Sequence, residues 1–180
     1  MKGIIFTEFL EMAEEKFGYE IVDEILENAN DPHNGAYTSV GTYGHSHLVQ
    51  LIIELQKKTD VPLEVLLSTY GEYLFPKLVK SHPDLLRGID STFQLLMNVD
   101  GLIHSEVRKL YPEANPPQIK GEQIDENTMK VRYDSHRSMG DVAIGLMHGC
   151  AAYFGEKLEI EKLDDEGNSV LFLVKKVLDE

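Results

Sequence analysis

The chain has 180 residues, 42% of them hydrophobic, a single cysteine and a formal net charge of −14 at neutral pH. That length and apolar content suit one domain over 1–180, with a core large enough to enclose a small-molecule pocket. One thiol excludes an internal disulfide framework and any zinc or iron–sulfur site needing several thiolates, and the charge excludes nucleic acid and anionic membranes as partners while suiting a basic patch on another protein.

No apolar run approaches the roughly 20 residues that span a bilayer, and MKGIIFTEFLEMAEEKFG carries acids too early for a signal peptide, so a cytoplasmic location is expected. Ile5, Phe6, Phe9, Leu10, Met12 and Ala13 share one side of a first helix over 2–17, stopped by Gly18, and Ile21, Val22, Ile25 and Leu26 predict a second. DPHNGAYTSVGTYGHS reads as a loop, and Leu48, Leu51, Ile52 and Leu55 mark the next helix. Pro62 suits the first turn of a helix carrying Leu66, Leu67, Tyr70, Leu74, Phe75 and Leu78, which Pro76 should kink. Asp90 or Ser91 can cap a helix whose buried stripe runs from Leu95 to Leu110 and which ends near Tyr111 and Pro112.

The period then changes from helical to two. Met129, Val131 and Tyr133 alternate with Lys130, Arg132 and Asp134 as a strand would. Apolar residues from Met139 to Phe154 return to helical spacing, ended by Gly155, and a hairpin follows with strands KLEIEK and SVLFLVKKVL joined by DDEGN. The fold class expected is α+β: an N-terminal helical part, then C-terminal helices on an antiparallel sheet.

His104, alone, is a histidine in an amphipathic helix, and most such residues are surface or boundary groups. Downstream lie the rigid pair Pro116-Pro117 and the run Tyr133-Asp134-Ser135-His136-Arg137. Continued as a strand, 133, 135 and 137 project to one face, where a phenol, a hydroxyl and a guanidinium could converge on a carboxylate. The same triplet could equally be an ordinary strand edge with an exposed arginine.

The sequence resembles the H-NOX (haem-nitric oxide/oxygen binding) family, also found at the N-terminus of soluble guanylate cyclase subunits. The segments carrying the resemblance are the opening MKGII, YGEYLF, LIHSEVRKLYPEANPPQI, YDSHR and GLMHGCAAYFGEKLEI, essentially the whole chain. It implies one b-type haem buried between the two parts, with iron on His104, propionates on Tyr133, Ser135 and Arg137, and Pro117 pressing on the macrocycle. Ile5, Phe9, Leu74, Leu78, Val142 and Leu146 are the further residues expected against the cofactor.

Oxygen-binding members use a distal tyrosine, supported by a tryptophan and an asparagine; in register these positions are Val142, Phe9 and Leu74 here. A distal side apolar throughout favours nitric oxide, with carbon monoxide a weaker ligand, and rejects oxygen, whose bound form needs a hydrogen-bond donor. The implied switch is weakening of the iron–His104 bond, relaxation of the haem against Pro117 and a shift of the helix bearing His104. With no output segment of its own, the chain would regulate a separate histidine kinase or cyclic-di-GMP enzyme.

Other features carry less. His45 and His47, in the loop beside His33, lack ligands to complete a zinc site, and the cysteine-rich zinc site of some family members has no counterpart. Cys150 reads as a core thiol, His136 and His148 as surface or boundary groups, and Glu14-Glu15 and Asp164-Asp165 as solvated acids. No nucleophile–base set, phosphate loop or dinucleotide fingerprint is present, so the expectation is a sensor and not an enzyme. The competing reading is a cofactor-free acidic interaction module or apolar-ligand-binding domain.

Overall fold

A computed structural model describes residues 1–178. Its helices are α1 (Gly3–Phe17), α2 (Tyr19–Asn28), α3 (His45–Thr59), α4 (Leu63–Ser81), α5 (Thr92–Asn98), α6 (Ser105–Leu110) and α7 (Gly140–Tyr153). The strands β1 (Gln118–Gln123), β2 (Thr128–Asp134), β3 (Leu158–Asp165) and β4 (Ser169–Lys176) form one antiparallel sheet in the order β1-β2-β4-β3. This is the expected α+β architecture, and no helix among the described residues is long and apolar enough to cross a membrane.

Among the described residues, three apolar clusters organise the fold. In the N-terminal one, Phe6, Phe9 and Met12 of α1 pack with Leu48, Leu51 and Leu55 of α3 and Tyr70 and Leu74 of α4. In the second, the inward residues of the sheet (Met129, Val131, Tyr133, Val170, Phe172 and Val174) meet Phe93 and Leu96 of α5 and Met147 and Ala151 of α7. A smaller one joins Phe75, Ile89, Leu95 and Cys150. Helix α7 contributes to all of them through Val142, Met147 and Cys150, and so links the N-terminal helices to the sheet.

The seam between α4 and α7 is backbone against backbone. A Cβ placed on Gly145 would lie 1.9 Å from the Ser68 carbonyl oxygen, and one on Gly71 2.2 Å from that of Val142. Only glycine permits such an approach. Pro76 lies inside α4 and cannot donate to the Glu72 carbonyl, and Gly149 packs against that same turn.

Several expectations are corrected locally. Pro62 immediately precedes α4 as its N-cap. His45 and His47 open α3 and are not loop residues. The helix expected from Ser91 to Leu110 starts as foreseen, with the Ser91 hydroxyl accepting from the Gln94 N–H at 3.3 Å, but a π-helical turn, Val99–His104, separates α5 from α6. Strand β1 was not foreseen, because QIKGEQ has little apolar alternation; it is an edge strand paired on one side to β2.

Candidate functional site

Between the N-terminal helices and the sheet layer lies a cavity of about 680 Å³, a size ordinary for a cofactor pocket. Its lining is mostly apolar. Ile5, Leu74, Leu78, Val142 and Leu146 form the wall supplied by α1, α4 and α7; His104, Val107 and Pro117 lie on the other, supplied by the π turn, α6 and the following loop.

His104 is largely buried, and its Nδ1 lies 2.6 Å from Asp100 Oδ1. Burial lowers the imidazole pKa, while Asp100 and the Pro117 carbonyl oppose the shift. Burial thus favours the neutral ring, the state in which a histidine can ligate a metal.

At the rim the three expected polar residues meet, though not as one strand face. β2 ends at Asp134, and the chain then turns: the Ser135 N–H donates to the Asn168 carbonyl at 2.7 Å, the Ser135 hydroxyl accepts from the Arg137 N–H at 3.2 Å, and Ser138 takes φ +51°. The convergence of Tyr133, Ser135 and Arg137 on the cavity is thus made by a turn. Arg137 Nη1 donates to the Asn115 carbonyl at 2.6 Å, but its Nε is buried with no hydrogen-bond partner among the described residues. A buried guanidinium nitrogen left unpaired is costly, and a bound carboxylate is the partner its geometry suits. Burial also lowers the Arg137 pKa and raises that of Tyr133.

These groups fit a haem: an apolar slot for a flat macrocycle, a neutral imidazole in its wall, and an arginine with a tyrosine and a serine where propionates would emerge.

Two expectations about the other wall need correction. Phe9 does not line the cavity; it is fully buried behind it, edge-on to the Tyr70 ring at 5.5 Å between centroids. The wall is also not apolar throughout, since Tyr70 and Glu8 line it. The Tyr70 hydroxyl donates to the Ile5 carbonyl at 2.5 Å, which commits its proton, and burial raises its pKa. Glu8 faces Lys77 at 3.7 Å; burial first, then the charge of Glu11, raises its carboxyl pKa. Tyr70 escaped the sequence because, four residues after Leu66 and four before Leu74, it reads as core; the acid–histidine spacing from Asp100 to His104 was a signal that could have been read.

Cys150 is a buried thiol whose pKa burial raises to about 12, in keeping with a core role.

Comparison with known proteins agrees with this geometry. The Haem-NO-binding (HNOB) family profile matches residues 2–162. No curated protein matches. Among solved structures, an H-NOX protein from K. algicida in the unliganded Fe(II) state is 39% identical, with a TM-score of 0.91 over 99% of this chain and 98% of that one. An H-NOX protein from S. oneidensis in the Fe(II)NO state is 28% identical, with a TM-score of 0.90 over 99% of this chain and 100% of that one. The H-NOX from Shewanella woodyi, in the Fe(II)CO state, is 36% identical, with a TM-score of 0.83 over 98% of this chain and 95% of that one. With its fold and nearly its full length accounted for in this way, the chain belongs to the H-NOX family of haem-based gas sensors.

Proposed function

We propose that this chain, as a single domain over 1–180, holds one haem b and senses nitric oxide for a separate signalling protein. The observation that carries the reading is the unpaired, buried Nε of Arg137 at the rim of an apolar cavity lined by His104. When bound, haem supplies a ferrous iron with one coordination position open to a diatomic gas. His104 offers that iron a neutral imidazole, Arg137, Tyr133 and Ser135 bind the propionates, and Pro117 sits against the macrocycle. Ile5, Leu74, Leu78, Val142 and Leu146 keep water from the gas side.

Selectivity follows from what that side lacks. The Tyr70 hydroxyl is committed to its hydrogen bond with the Ile5 carbonyl, and Val142 and Leu74 carry no donor. With the Tyr70 hydroxyl committed, oxygen is left without that donor, whereas nitric oxide needs none and carbon monoxide is accepted more weakly. The S. oneidensis relative in its Fe(II)NO state and the S. woodyi relative in its Fe(II)CO state support the choice of gases. Breakage of the His104 bond would free the π turn and α6 to move, altering the surface met by a histidine kinase or cyclic-di-GMP enzyme in the cytoplasm. The strongly acidic surface suits a basic patch on that partner.

The test is spectroscopic. Protein reconstituted with hemin and reduced should show a sharp Soret band that shifts on addition of nitric oxide and forms no stable oxygen complex in air. A chain that stays colourless with hemin overturns the reading in favour of a cofactor-free apolar-ligand or interaction module.

A further inference from the structure

The π turn places Asp100 and His104 on successive windings, and their side chains meet at 2.6 Å. A carboxylate is acceptor-only, so the shared proton resides on Nδ1. In a neutral ring that leaves Nε2 without a proton. The contact is shielded: the His104 side chain is 14% exposed and that of Asp100 30%. Among the described residues Arg108 donates to the Asp100 backbone carbonyl, at 3.4 Å, and not to its side chain.

The Ser105 hydroxyl donates back onto the turn, to the Gly101 carbonyl at 2.6 Å, and reaches the Leu102 carbonyl at 3.0 Å, which also accepts the Ser105 N–H. The Pro117 carbonyl also acts on the imidazole, but as a neutral acceptor it is weaker than the Asp100 carboxylate.

Resting on the haem reading above, we propose that Asp100 is a positioning residue for His104: its carboxylate fixes the Nδ1–H tautomer, aims the Nε2 lone pair into the cavity, and stiffens the bond His104 makes to iron. A partner of this kind raises the basicity of a ligating imidazole and is worth about 10–100-fold in metal affinity. Asp100 would thus set how firmly the chain resists gas-driven release of its own ligand.

Two measurements test this. In the haem-free protein, a long-range proton–nitrogen NMR spectrum at a pH where the ring is neutral should show His104 protonated on Nδ1, and Asp100→Ala should shift it toward the Nε2–H form; Nε2–H in the unaltered protein overturns the tautomer assignment. In the reconstituted ferrous protein, the iron–histidine stretching band seen by resonance Raman should fall in frequency from wild type to Asp100→Asn to Asp100→Ala. Haem transfer to an acceptor globin should quicken about tenfold or more in Asp100→Ala, and an unchanged band overturns the stiffening. A protein that takes up no hemin defeats the haem reading and the stiffening with it, while the haem-free spectrum still decides the tautomer.

Discussion

Tyr70 shows how one side chain changes the reading of a pocket. By sequence it is another apolar position of α4; in the structure it is a phenol in the cavity wall whose proton is taken by the Ile5 carbonyl. Tyr70→Phe removes that hydrogen bond while the Ile5 carbonyl keeps its helical partner within α1, a loss of about 0.5–1.5 kcal/mol. The variant should melt earlier and still form no stable oxygen complex, as thermal unfolding and visible spectra would record. A Tyr70 that were instead the gas-side donor would give an oxygen complex in the wild type and lose it in Tyr70→Phe. His104 and Arg137 were legible as residue types with the right chemistry. Of their partners, Asp100 stands at a helical spacing from His104 that the sequence does display, whereas the Asn115 carbonyl does not announce itself, because a side-chain-to-backbone contact across 22 residues leaves no periodic mark.

At the level of elements, the helices and the last hairpin were readable because each carries a buried stripe of regular period. Where burial is one-sided or irregular the signal failed: β1 has too few apolar residues to announce itself, and the π turn hides within a stripe that continues on both sides. The end of β2 at Asp134 was missed because the alternation of residue types runs on through Arg137 while the backbone turns away. The α4–α7 seam was equally invisible, since glycines do not say what they approach. Gly145→Ala would push a methyl into the Ser68 carbonyl and should cost at least the ~1–3 kcal/mol of an overpacked core. Gly101→Ala, where no atom lies within 4 Å, serves as the near-neutral control in the same denaturation experiment.

For the molecule as a whole, a cavity of about 680 Å³ between the helical and sheet clusters means that the haem-free fold forgoes packing at its centre. A ligand bound only by the folded state adds stability by mass action, about 4 kcal/mol at a thousandfold excess over its dissociation constant. Saturating hemin should therefore raise the unfolding midpoint by roughly 10 °C, whereas an unchanged midpoint would mean the cavity does not take it. The Arg137 bond to the Asn115 carbonyl also has a kinetic meaning. Asn115 lies on the loop that carries Pro117, so the same guanidinium that lines the cavity also ties that loop to the turn after β2. An anionic occupant that paired with Arg137 would hold the guanidinium still and with it the loop, so its own negative charge would lengthen its stay.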